Sequence, residues 1–279
     1  MVSATPFSSE NAFQAPNKWT PRHLQGLNIE EHHHLPASAI IEDAYLPEDD
    51  DPLFVTLAGD FAKPTRDEVL THLTHPGNKC EMILSELDSA WECFQSGYVP
   101  QAELYPSHVA SRILSTAQLP CSLRNDGAFF RRTDQESSLP LTIYLTGKAP
   151  GCLGIAHEVA PYLLFQAFFQ YEQNPTLDDY NAFVVSMKGT TIQFVRASCS
   201  NSYLRDLVER KAPGSPLGVC FSEHYDLLEQ KDRKEFVRIF IGLICYLYGL
   251  LEMFGDWSAI SHDKSQTESD DEGNDIYSN

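Results

Sequence analysis

The segment Ala182-Phe-Val-Val-Ser-Met-Lys-Gly-Thr-Thr-Ile-Gln-Phe-Val-Arg196 decides the reading of the fold. Two runs rich in β-branched and aromatic residues meet at Lys188-Gly189, where a tight loop needs the positive φ that glycine adopts without steric cost. The pattern predicts an antiparallel hairpin. Before it, His157 to Gln173 carries Val159, Tyr162, Leu163, Leu164, Phe165, Phe168 and Phe169. Gln166, Gln170 and Gln173, at i, i+4 and i+7, set a polar stripe on that surface. A helix so widely apolar belongs in the interior or against a sheet. After the hairpin come a mixed segment at Tyr203-Leu204, a loop at Pro213-Gly-Ser-Pro216, and a helix expected from Lys231 to Met253. Its apolar stretch, Ile239 to Leu251, is 13 residues long. That is well short of the ~20 needed to cross a bilayer, so a buried helix is expected and no membrane association.

Moving outward, Cys80, Ile83, Leu84, Leu87, Trp91 and Phe94 recur at helical spacing, and Gly97 supplies a stop. A shorter helix is expected over Ser107 to Ala117, then two strands at Gly127 to Arg131 and Leu139 to Thr146. Residues 1–62 are rich in Pro, Ser, Asn and acid, show no sustained period, and are expected to be disordered or loosely attached. Within them, Pro52-Leu-Phe-Val-Thr-Leu57 reads as a strand that could dock. The tail Ser265 to Gly273 is acidic and has too little apolar surface to fold. The expected organisation is one α/β (α+β) domain over 63–255, a mixed sheet flanked by helices, with acidic disordered termini at 1–62 and 256–279.

Charge follows the same division. The net charge is −19, yet residues 79–255 hold 20 acidic and 15 basic side chains, so the ends carry most of the excess. Polyanion binding requires phosphates to be neutralised by Lys and Arg. Arg131-Arg132 and Lys231-Asp-Arg-Lys234 are the densest basic groups, and both are short. Nucleic acid is therefore disfavoured as a direct partner. Seven cysteines at 80, 93, 121, 152, 199, 220 and 245 form no C-x-x-C pair and suit neither a disulfide framework nor a zinc knuckle. Met1-Val-Ser-Ala-Thr-Pro lacks the basic start and apolar run of a secretory signal. An intracellular, reduced setting, cytoplasmic or nuclear, is expected.

Most catalytic motifs fail on inspection. Gly147-Lys148 is followed by Ala149, and Thr142 stands where a phosphate loop needs its first glycine. Gly151-Cys-Leu-Gly154 is an isolated glycine pair best read as a turn. No G-x-S-x-G occurs. His224-Tyr-Asp226 and Met253-Phe-Gly255 resemble kinase tripeptides, but Lys231 and Met253 occupy the positions that must hold magnesium. His32-His-His34 reads as a solvated polar tract without partners at ligand spacing. His157 and His224 read as helix-start or surface groups, and Asp178-Asp179 as turn chemistry.

One set of motifs does carry a resemblance. The helix with Gln166 and Tyr171, the ribbon Phe183-Val-Val-Ser-Met-Lys-Gly with Ile192-Gln-Phe-Val-Arg196, then Ser200, Phe221 and Glu235-Phe-Val-Arg-Ile-Phe-Ile-Gly-Leu243 follow in order. Together, over about residues 158–255, they resemble the segment that precedes the catalytic domain in fungal-type protein kinases. The resemblance implies a PD-(D/E)XK nuclease-like fold. It further implies where a metal-dependent centre would lie: Asp126 before the first strand, Lys148 after the second, and two carboxylates holding Mg2+ to activate water. The position two before Lys148 is Thr146, which has no carboxylate, and Glu158 is the migrated acid that could replace it. A nuclease would thus use Asp126, Lys148 and Glu158, with Asp126 and Glu158 as metal ligands. The favoured expectation is instead a catalytically inactive nuclease-like module without cofactor, binding protein partners through its acidic termini. A kinase-associated accessory protein lacking the kinase domain is the remaining alternative.

Overall fold

The computed structural model of the chain describes residues 26–71, 80–96, 109, 112, 121–123, 129–131 and 155–254. In chain order these form β1 (Ile29–Leu35), α1 (Ala37–Ile40), a 3-10 turn (Asp43–Tyr45), α2 (Pro52–Ala62), α3 (Arg66–Leu70) and α4 (Glu81–Ser96). There follow β2 (Cys121–Leu123), β3 (Phe129–Arg131), α5 (Ile155–Gln173), β4 (Asp179–Lys188), β5 (Thr191–Ser200), α6 (Asn201–Val208), β6 (Leu217–Asp226) and α7 (Gln230–Phe254). Four strands make one mixed sheet in the order β1-β6-β5-β4, so β1 and β4 are its edges. β1 runs parallel to β6, and the other pairs are antiparallel. This is an α+β architecture with helices on both faces.

The expected hairpin is β4–β5, paired from Asp179 with Ser200 to Lys188 with Thr191. Gly189 has φ 59° in the two-residue loop, whose second residue Thr190 is not left-handed. That is the φ pattern of a II′ turn, which matches the right-handed twist of the strands. Alternation then sorts the side chains. Ala182, Val184, Val195, Ala197, Leu217, Val219 and Phe221 pack under α5 and α6. Phe183, Val185, Met187, Ile192, Phe194 and Tyr225 pack under α7 and the helices before it. Phe194, Phe236 and Phe240 stack in series there, with centroids 5.7 and 5.5 Å apart.

Phe221 and Tyr225 belong to opposite faces, although residues four apart on a regular strand share one. A bulge reconciles them: opposite Gln193 to Val195, β6 runs from His224 to Phe221, one residue longer than β5. Ser222 fills the broken ladder. Its Oγ accepts from the Phe194 N–H at 2.9 Å and donates to the Glu223 carbonyl at 2.6 Å. The Gln193 amide donates to the Ser222 carbonyl at 2.9 Å, and Ser222 is fully buried.

Residues 29–62, expected to be disordered, are instead folded onto the domain, so the boundary at 63 does not divide the structure. Pro52 to Leu57 is helical, not a strand. Asp51 caps α2 by accepting from Leu53 and Phe54, and Pro52 sits in the first turn, where its missing N–H costs nothing. Phe54, Leu57, Ala58 and Phe61 then form a buried stripe. The acidic run before it is an anchor: Arg238 of α7 pairs with Asp49, donates to the Pro47 carbonyl at 2.7 Å, and covers the Phe54 ring at 4.4 Å. Arg233, also on α7, is fully buried and donates to the carbonyls of Phe61, Pro64 and Leu227. Burial pushes its guanidinium down to about 10, against the opposing pull of Glu229 and Asp226. It remains charged at neutral pH and clamps the α2–α3 turn. Gly242 permits the close approach of the 3-10 segment, since a Cβ there would meet the Tyr45 carbonyl at 3.3 Å.

The segment around Tyr203-Leu204 is the amphipathic helix α6, and 217–226, for which the sequence predicts no element, is β6. The helices expected at 78–97, 157–173 and 231–253 are α4, α5 and α7. Of the shorter helix expected at 107–117, Val109 and Arg112 are described, both helical. The strand expected at 127–131 is β3, which pairs antiparallel with β2 in a separate two-stranded sheet. Leu139 to Thr146 lie outside the described residues, as do 1–25 and 256–279, which include most of the expected acidic termini.

Candidate binding surface at the sheet edges

Asp126, Lys148 and Thr146 lie outside the described residues. Glu158 falls within α5, but its side chain is likewise outside them. The described residues therefore place none of the three side chains assigned to a nuclease centre. What they do place is a sheet with two unlike edges.

The β4 edge is closed by the glutamine stripe. Gln166 donates from Nε2 to the Phe183 carbonyl and accepts the Phe183 N–H at Oε1, both at 2.8 Å. One side-chain amide thus completes both backbone bonds that a neighbouring strand would make. Gln170, one turn on, donates to the Asn181 carbonyl at 2.8 Å. Spacing explains this: i and i+4 on the helix meet i and i−2 on the strand. A sequence pattern that looked like the wet side of a helix is the surface that seals a sheet.

The β1 edge has no such cover among the described residues. The Leu217 N–H donates to the Asn28 carbonyl at 2.9 Å, with Ile29 opposite Leu217. In a parallel ladder every second residue bonds inward, so Asn28, Glu30 and His32 serve β6. Ile29 and Glu31 turn their N–H and C=O groups outward. From Glu30 to His34 every side chain is exposed. His33 stacks on the buried Phe221 ring, 4.5 Å between centroids and 9° from parallel, with its Nε2 3.0 Å from Glu31 Oε2. On the other face His32 Nε2 lies 3.6 Å from Glu30 Oε1. A bulge ends the regular pairing between His32 and Leu35, and His34 takes φ 56°. Its ring lies 6.4 Å from that of His224 on β6. Partial desolvation, with His34 and His33 adding like charge, pushes the His224 pKa down from its ordinary value.

The tract His32-His33-His34 is therefore an ordered strand rather than a solvated coil. Among the described residues, no group of three or more His, Cys, Asp or Glu side chains could hold a metal ion. Sequence reasoning missed this surface because an edge strand exposed on both faces has no hydrophobic alternation to show. Ile29 and Leu35 at its ends were the available sign. Among the described residues, no helix is long and apolar enough to cross a membrane. Comparison of the chain with protein-family models, curated proteins and solved structures finds no match to any of them.

Proposed function

We propose that this chain is a protein-interaction module on a catalytically silent nuclease-like scaffold, and that it binds an extended basic segment of another protein along β1. The single observation behind this reading is the asymmetry of the sheet. One edge is sealed by Gln166 and Gln170, whereas the other offers the backbone groups of Ile29 and Glu31. Addition of a strand to an open edge takes affinity from main-chain bonds and specificity from the alternating side chains. Glu30 and Glu31 are exposed and point to opposite faces of β1, in a chain of net charge −19. A Lys- or Arg-bearing strand complements both. The same acids, with the bulge at His34, guard the edge against indiscriminate pairing. Thr146, in the position where the resemblance calls for a metal-holding carboxylate, supports the silent scaffold.

A panel of labelled strand-forming peptides with matched backbones, Lys-rich or Glu-rich, tests the reading by fluorescence anisotropy. The Lys-rich peptides should bind at least about tenfold more tightly, with affinity falling as salt rises. Glu31→Pro, which deletes an outward N–H while sparing the β6 ladder, should abolish that binding. Equal binding of both peptide classes, or an unaffected Glu31→Pro variant, would contradict the assignment. A concentration-dependent dimer dissolved by the same substitution would assign the edge to a second copy instead.

A further inference from the structure

The α7-facing side of the sheet holds an arginine with an unusual set of partners. Arg196 and Ser198 lie two apart on β5 and so share a face, about 7 Å apart along the strand. Arg196 stands opposite Phe183 on β4 and Cys220 on β6, while Ser198 stands opposite Asn181 and Gly218. Phe183 packs into the core beneath α7, with its ring 5.1 Å from that of Tyr246, which fixes the face on which Arg196 lies.

Arg196 donates from Nε and Nη2 to one atom, Asn181 Oδ1, at 3.2 and 3.1 Å. Asn181 in turn donates from Nδ2 to the Tyr246 hydroxyl oxygen at 3.2 Å. The phenol accepts that bond and keeps its own proton to give; burial holds its pKa above the ordinary value, so the proton is present at neutral pH. Asn181 is thus a bracket that orients two donors. The outer end of the guanidinium, with both hydrogens of Nη1, has no protein acceptor among the described residues.

This differs from the other buried or half-buried arginines. Arg66 pairs with Asp226 and Glu229, Arg238 with Asp49 and Glu235, and Arg233 with three carbonyls. Among the described residues, no carboxylate lies within ion-pair distance of Arg196, in a chain with nearly twice as many acids as bases. A half-buried cation keeps an uncompensated charge at a cost, and a planar guanidinium end is shaped to receive two oxygens at once. Beside it the floor carries no side chain at Gly218: among the described residues, a Cβ there would have the Ser198 carbonyl, at 3.8 Å, as its sole neighbour within 4 Å. The Ser198 hydroxyl borders that space.

We propose that Arg196, Ser198 and Tyr246 form a binding site for an oxyanion, the carboxylate or phosphate group of a small ligand. The guanidinium end receives two oxygens, the phenol and the serine hydroxyl donate to the same group, and Asn181 holds the geometry. The site lies on the sheet's face and stands independently of strand addition at β1.

The test is an NMR titration of the full-length 15N-labelled chain, following arginine Nε–Hε signals at matched ionic strength. Sodium phosphate, sodium acetate and sodium chloride are the three probes. One arginine signal should shift saturably with phosphate, acetate or both, with a dissociation constant on the order of 1 mM or tighter, and not with chloride. A response to phosphate alone identifies a phosphate ligand, and a response to acetate alone a carboxylate. Arg196→Gln should erase the shift, and Arg196→Lys should weaken binding about tenfold by losing the fork. Tyr246→Phe, which keeps the ring and the core, should weaken it several-fold and serves if Arg196→Gln does not fold. No saturable shift beyond that with chloride, or an undiminished shift in Tyr246→Phe, would overturn the site.

Discussion

The two edges of the sheet solve the same chemical problem in opposite ways. Each ends in a row of backbone donors and acceptors that must find partners. At β4 the partners are built in: a helix lies alongside and offers glutamine amides in place of a strand. At β1 none of the described residues supplies them, and the strand carries charged and imidazole side chains on both faces. The fold uses a helix to close one side and, among the described residues, leaves the other side uncovered. Packing follows suit, since most of β4 is buried while β1 is exposed except at its ends.

The largest effect should come from opening the closed edge. Gln166→Leu leaves the Phe183 N–H and C=O without partners in a buried position, each costing about 1–3 kcal/mol. Urea denaturation should show a loss of about 2–4 kcal/mol, with concentration-dependent association as a second edge appears. A loss below about 0.5 kcal/mol would mean that the seal is not structural. Next comes the bulge that orients β6 for β1. Ser222→Ala removes the acceptor of the Phe194 N–H and should cost about 1–3 kcal/mol by the same measurement.

Smaller effects should mark the open edge. Glu31→Pro should change stability by no more than about 1 kcal/mol, because edge strands tolerate proline where the N–H faces out. The smallest concerns His224. Its folded pKa lies below the unfolded value of 6.5, so the unfolded chain binds the proton more readily. The contribution is complete above pH 6.5 and is lost as pH falls through the folded value. The urea midpoint should therefore decline with acidification below pH 6.5, and His224→Gln should flatten that part of the slope.

Sequence and structure agree where local chemistry and tertiary context point the same way. The hairpin is legible because Gly189 and two β-rich runs specify it without help, and α5 and α7 because their apolar surface is too wide for solvent. β6 was illegible because its bulge breaks the two-residue period: Phe221 and Tyr225 look like one face and belong to two. α2 was misread because Phe54 and Val55 suggest a strand, although Asp51-Pro52 is a helix start and Phe54, Leu57 and Phe61 keep helical spacing. The acidic run from Glu48 suggested disorder because its partner Arg238 is almost two hundred residues away. Of the candidate site, only Ile29 and Leu35 at the ends of β1 left a sign, because exposure of the residues between them removes the periodicity from which strands are read. The glutamine stripe was visible, but its target was not, since only the packed sheet shows that Gln166 faces a backbone rather than water.

Residue-resolved hydrogen exchange tests the asymmetry most directly. The Phe183 amide should exchange only through global unfolding, while the amides of Ile29 and Glu31 exchange orders of magnitude faster and become protected when a Lys-rich strand is added. Equal protection of Phe183 and Glu31 in the free protein, or no slowing at Glu31 when such a strand is bound, would contradict the account.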